Sequence, residues 1–171
     1  MDRKKTSRFF RWAQVASGAG VAFMHGAQDG QKFMSIFVLA ITLATGVGQA
    51  DQMILPIWLM FFCALNMGLG TAVGGERIIK SVGLDMVKLE PFQGFAASVA
   101  TFFCLMLSTF AGLPVSTTHT NTTAIMGVGA AKRKSAVKWG IAIDMVKTWV
   151  LTFPGCGLLG FAFAHLFLMF S

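Results

Sequence analysis

The sequence predicts an all-α integral membrane protein with a broken first helix and a re-entrant helical hairpin. Three observations carry that expectation. Of 171 residues, 55% are hydrophobic and only 12% charged, with a mean hydropathy of +0.68, whereas soluble domains average about 25% charged residues. The basic residues gather in short segments between long apolar ones. Two apolar stretches are interrupted by polar runs, one at His25-Gly26-Ala27-Gln28-Asp29-Gly30-Gln31-Lys32 and one from Gly112 to Thr123. The net charge of +7 is clustered as expected at the cytoplasmic side of a bilayer, which argues against a nucleic-acid partner. Cys63, Cys104 and Cys156 stand singly in apolar stretches and read as small buried hydrophobes without a redox or metal role.

Residues 1–11 form a basic cytoplasmic start, with Arg3, Lys4, Lys5, Arg8 and Arg11 against Asp2. The next stretch ends in no small-residue cleavage site, so this start is read as part of the mature chain. Residues 12–48 read as one broken span. Its first piece, 12–24, holds Ala13, Ala16, Ser17, Gly18, Ala19, Gly20 and Ala22, which suit close helix contact. That piece reaches only about 20 Å, short of the ~30 Å hydrocarbon core, so the polar octet after it is expected near mid-membrane. A polar turn at 46–52 is expected outside. Residues 53–74 are a full span with a packing face of Asn66, Gly68, Gly70, Ala72 and Gly74.

Residues 75–90 interleave Glu76, Arg77, Lys80, Asp85, Lys88 and Glu90 with Ile78, Ile79, Val82, Met86 and Val87, an amphipathic cytoplasmic segment. Because Lys132-Arg133-Lys134 is a further basic cluster, residues 91–131 must enter and return, as a re-entrant hairpin with its tip at 114–121. Residues 139–170 exceed a simple span. Asp144 and Lys147 sit early and Pro154-Gly155-Cys156-Gly157 interrupts, so an interfacial helix leading into a final span is expected, with the C-terminus outside. Trp12, Trp139 and Trp149 read as interface anchors and His165 as a structural interfacial residue.

Pro114 fixes its own φ, withholds an N–H and biases Leu113 away from helix. Irregular backbone at membrane depth is tolerated only where it is buried in protein or lines a cavity. The plainer alternative is a kinked helix whose Ser and Thr bond back to carbonyls. Asp29 is the one acid between Asp2 and Asp51, and an intramembrane carboxylate is functional by default. Its structural alternative is neutralisation by Lys32 at i+3, which does not exclude function. Paired discontinuous segments point to the site of a secondary transporter. Helix N-termini offer N–H groups and a positive dipole end to an anion, and the neighbouring carbonyls and hydroxyls can hold a small cation. Two other classes compete: a membrane enzyme working His25 or His119 with Asp29, and a channel whose filter is built from the two breaks. No nucleophile elbow or HExxH motif supports the enzyme, so no catalytic residue, metal or cofactor is expected.

The octet at 25–32 resembles the Gly-Ala-Asn-Asp signature of the inorganic phosphate transporter (PiT) family, in the variant seen in the second half of bacterial members. Pro114-Val115-Ser116-Thr117-Thr118-His119 matches that family's second signature. Gly127-Val128-Gly129 and Trp149-Val150-Leu151-Thr152-Phe153-Pro154 resemble the family's segments C-terminal to that signature, so the resemblance covers about 11–170. It implies a multi-pass protein of the plasma (inner) membrane that carries inorganic phosphate, free or as a metal–phosphate complex, by symport with Na⁺ or H⁺. Family members are built from two inverted repeats, each giving one copy of both motifs to a shared central site. This chain resembles the second, C-terminal repeat. The resemblance assigns phosphate binding to Gln28, Asp29, Lys32, Ser116, Thr117, Thr118 and His119, and a coupling ion to Asp29, Asn121 and Thr122. Two departures stand out: Gln28 replaces the Asn, and Lys32 stands where the first-half signature has a second Asn. A cation there suits phosphate and suits a Na⁺ site poorly. The expected partners are phosphate, the lipid bilayer, and the other repeat, in the same chain, a separate chain or an oppositely oriented second copy. The shared inside bias of the basic clusters argues against the last, which favours a fragment or a split half.

Overall fold

The computed structural model describes residues 3–45 and 56–170. In order these form α1 (Arg3–Thr45), α2 (Ile57–Ile78) with a π-helical continuation (Ile79–Met86), α3 (Pro91–Phe110), α4 (Thr117–Lys132), a 3₁₀ turn (Lys134–Ala136) and α5 (Trp139–Phe170). The protein is all-α and a membrane protein. Among the described residues three helices are long and apolar enough to cross a bilayer, over Ile57–Glu76, Pro91–Phe110 and Trp139–Met169. The turn expected at 46–52 and the start of the span expected at 53 lie outside the described residues.

The first helix is not broken. α1 runs 43 residues without interruption, about 65 Å at about 1.5 Å per residue. Between 12 and 45 there is no proline, so every backbone N–H can donate, and Gly26 and Gly30 each cost only about 1 kcal/mol relative to alanine. His25, Asp29 and Lys32 fall at i, i+4 and i+7, on one face. The octet is a polar stripe on an intact helix. α5 is likewise one 32-residue helix that passes through Pro154. A proline there removes one backbone hydrogen bond, a loss that membrane helices tolerate, so the expected division at 154–157 is absent.

The hairpin is present, and its register is legible from the contacts. Phe10 packs edge-on to Phe92 with ring centroids 6.3 Å apart, and a methyl on Gly20 would lie 3.1 Å from the Phe102 ring. Gln28 reaches the Leu105 carbonyl. Residue numbers rise together on both helices, so α1 and α3 run parallel, and α4 returns antiparallel to both. At the base, Lys132 Nζ pairs with Glu90 Oε1 at 2.7 Å, Val87 bridges Val137, and Lys138 N–H donates to the Met86 carbonyl at 3.0 Å. The three basic segments therefore share one end of the molecule.

The hydrophobic core sits at that same end. Val82, Met86, Val87 and Val137 are buried against Leu89, Ile125, Met126, Ala130, Ile141 and Met145. Gly129 is required here, because a Cβ would stand 2.7 Å from Val87 Cγ1 and 3.2 Å from Val137 Cγ2. Elsewhere most of the apolar surface faces outward, as lipid or a protein neighbour demands; along α5 no residue from 143 to 169 is buried. Cys63 is buried as expected, but Cys104 and Cys156 are exposed, because each sits on the outer face of its helix. Among the described residues the glycines of α2 meet no packing partner: nothing approaches a Cβ placed at Gly68, Gly70 or Gly74.

Candidate functional site

The hairpin tip is built by two caps. α3 ends because Gly112 adopts φ +67. Its N–H donates to the Thr109 carbonyl at 3.1 Å, and the Leu113 N–H donates to the Ser108 carbonyl at 2.9 Å. This is the Schellman arrangement, in which a left-handed glycine satisfies the last carbonyls of a helix. Pro114 then keeps the chain extended. α4 starts at Thr117, with the Ser116 hydroxyl accepting from the His119 N–H at 3.4 Å. The N–H groups of Thr117 and Thr118 belong to the first turn and have no partner within the helix.

Asp29 on α1 meets this tip. Its Oδ1 accepts from Lys32 Nζ at 2.8 Å, and its Oδ2 lies 2.9 Å from His25 Nε2. Thr117 Oγ1 donates to the same Oδ2 at 3.3 Å, and Lys32 Nζ also donates to the Val115 carbonyl at 2.7 Å. The pairing of Asp29 with Lys32 is thus present, but as part of a five-residue cluster that joins α1 to the hairpin tip. The side chain of Asp29 is 21% exposed, so the cluster is reachable. It borders a cavity of about 490 Å³ between α1, α2 and α4, where His25, Asp29 and Thr118 face Cys63, Asn66 and Thr71.

The other expected residues divide. Gln28, 4% exposed, donates to the Leu105 carbonyl at 3.3 Å and to Thr109 Oγ1 at 2.9 Å, fixing α1 to α3. Thr118 is exposed and lines the cavity shared with Asp29 as well as a second one of about 390 Å³ with Thr122, Ser81, Asp144 and Thr148. His119 lies against Trp149 with ring centroids 4.0 Å apart. Asn121 Oδ1 accepts from Thr101 at 3.4 Å. Asp29, Asn121 and Thr122 therefore do not converge: Thr117 meets the carboxylate, Asn121 turns to α3 and Thr122 to the second cavity. Thr120 and Thr123 bond back to helix carbonyls, as in the plainer alternative.

The family model for the phosphate transporter family matches residues 1–160. The chain belongs to the phosphate transporter family. Among curated relatives it is 41% identical over 156 residues to a probable low-affinity inorganic phosphate transporter of Bacillus subtilis, covering 91% of this chain and 46% of that protein. A protein of the same description from Rhizobium meliloti is 41% identical over 150 residues, covering 88% and 44%. The sodium-dependent phosphate transporter 1-B of Xenopus laevis is 27% identical over 166 residues, covering 97% and 24%. The chain thus spans less than half the length of these relatives. No solved structure matches it.

Membership in the phosphate transporter family makes the cluster's composition informative. His25 is absent from the set of binding residues that the sequence resemblance assigns, although its i−4 spacing from Asp29 is a readable signal. Trp149 carries no such signal: in sequence it reads as an interface anchor, and only the packing of α5 across α4 brings it to His119.

Proposed function

We propose that the chain is one repeat of a secondary carrier that moves inorganic phosphate, free or as a metal–phosphate complex, by symport with Na⁺ or H⁺ across the plasma (inner) membrane. The observation that carries this reading is the meeting of Asp29, Lys32 and Thr117 at a helix start, in a chain whose family is one of phosphate transporters. Phosphate entering a low-dielectric site loses its water, and only convergent donors replace it at tolerable cost. The unpartnered N–H groups of Thr117 and Thr118, the hydroxyls of Ser116 and Thr118, and Lys32 are such donors, with the α4 dipole adding a favourable field. His119, stacked on Trp149, orients the first turn of α4. Gln28 holds α1 against α3 so that Asp29 keeps its position. A coupling ion acts at the carboxylate of Asp29 without Asn121 and Thr122, which turn to α3 and to the second cavity. A second repeat, in the same chain, a separate chain or a second copy, completes the site.

Reconstituted vesicles test this reading. A carrier exchanges external labelled phosphate for internal phosphate with saturation, and arsenate, of the same shape and charge, competes. Unsaturable conductance would indicate a channel, and a released product an enzyme. Either result, or the absence of exchange from a complete assembly, contradicts the reading.

A further inference from the structure

Lys32 holds two oxygens of different origin. Its ε-ammonium lies 2.8 Å from Asp29 Oδ1 and 2.7 Å from the carbonyl oxygen of Val115. Val115 belongs to the non-helical stretch between α3 and α4, so its carbonyl lies outside any helical ladder. A carboxylate joined by a carbonyl from unwound chain is the kind of oxygen set that discontinuous helices offer to an alkali cation. Here the chain supplies a cation of its own, on a lysine stem rooted one turn along α1. The second carboxylate oxygen is also engaged, by His25 Nε2 at 2.9 Å and Thr117 Oγ1 at 3.3 Å.

Resting on the carrier reading above, we propose that Lys32 is a resident cation that fills the position a transported Na⁺ would otherwise take at Asp29. An ammonium and a Na⁺ cannot share the same two oxygens, because like charges at contact distance repel and one carboxylate neutralises only one of them. The bound ammonium is covalently tethered and so cannot travel with the substrate. Residue 32 thereby sets the cation requirement of this repeat: with lysine, Asp29 is neutralised from within and needs no external Na⁺. Lys32 leaves room for such an exchange once it is shortened. Asp29 borders the cavity of about 490 Å³, while Lys32 borders a separate one of about 270 Å³ with Gln28, Ser108 and Thr109. Asp29 lines one space and Lys32 the other, so a solute in either can reach one member of the pair.

The test is thermal melting of the full chain in lipid nanodiscs, without phosphate, across a Na⁺ series at ionic strength held constant with choline. Lys32→Ala and Lys32→Gln should each gain a saturable Na⁺-dependent rise in melting temperature, since a ligand that binds only the folded state stabilises it by mass action. The wild type should show no such rise, and the double variant Asp29→Asn, Lys32→Ala should lose it. Methylammonium should replace Na⁺ for Lys32→Ala. A wild-type rise abolished by Asp29→Asn would overturn the proposal, and so would flat responses from both Lys32 variants. Failure of both to fold at any Na⁺ concentration would make Lys32 a structural pin and overturn it equally. Because phosphate is absent, this outcome is independent of whether the assembly exchanges phosphate. An assembly that exchanges phosphate while the Lys32 variants ignore Na⁺ defeats this inference alone.

Discussion

Asp29 gathers its partners through two different relations to the chain. His25 and Lys32 are local, one helical turn to either side, and their pairing is readable from spacing alone. Thr117 is 88 residues away and arrives only because α4 runs back along α1. Ser116 shows the opposite division of labour: read as a phosphate donor, it also serves as the N-cap that starts α4. These roles separate in experiment. In a complete carrier, Thr118→Val should raise the half-saturation for phosphate by about 5- to 150-fold, the equivalent of about 1–3 kcal/mol for one lost hydrogen bond to a desolvated anion, with expression unchanged. Ser116→Ala should raise half-saturation and also lower thermal stability, because a lost cap costs about 1 kcal/mol. Radiolabelled uptake and melting curves on the same preparations check both. Wild-type affinity in both variants would move the phosphate site away from the tip.

At the scale of elements, composition is a good guide to where the membrane helices lie and a poor one to their continuity. The octet at 25–32 looks like a break because polar residues in an apolar run are costly in lipid. The helix persists because the cost is met partly within it, by His25 and Lys32 on Asp29, and partly from outside it, by Thr117 and the Val115 carbonyl, which no local reading shows. At the tip, Pro114 draws attention as the helix stop, yet the chain turns two residues earlier at Gly112, the position with φ +67. The hairpin base rests on the close approach of α4 to Val87 and Val137. Gly129→Ala should destabilise the chain by about 1–3 kcal/mol, as overpacking does, and Val87→Ala should restore much of the loss in the double variant. Gly127→Ala meets nothing within 4 Å and should be close to neutral. Melting temperatures of the three variants decide this. A neutral Gly129→Ala would mean that the base is looser than the contact distances require.

At the scale of the whole molecule, parallel α1 and α3, the returning α4 and the core around Met86 bring all three basic segments to one end. The clustering of charge is legible in the sequence; the shared end is a consequence of the hairpin. If that end is cytoplasmic, as lysine and arginine bias directs, cysteines introduced at Asp51 and at Lys134 in a cysteine-free background should react with an impermeant reagent from opposite sides. Same-side labelling would contradict the hairpin topology. The uncovered length of α5 is the apolar face that the second repeat of the proposed carrier would cover.

On the carrier reading proposed above, phosphate crosses at the Asp29 cluster. Counterflow in vesicles holding the complete assembly tests it most directly, comparing wild type with Asp29→Asn, which removes one charge and keeps size and most hydrogen bonding. The wild type should accumulate labelled phosphate saturably, and Asp29→Asn should lose this at equal insertion and folding. Undiminished, ion-coupled counterflow by Asp29→Asn would show the carboxylate to be structural and place the transport site elsewhere.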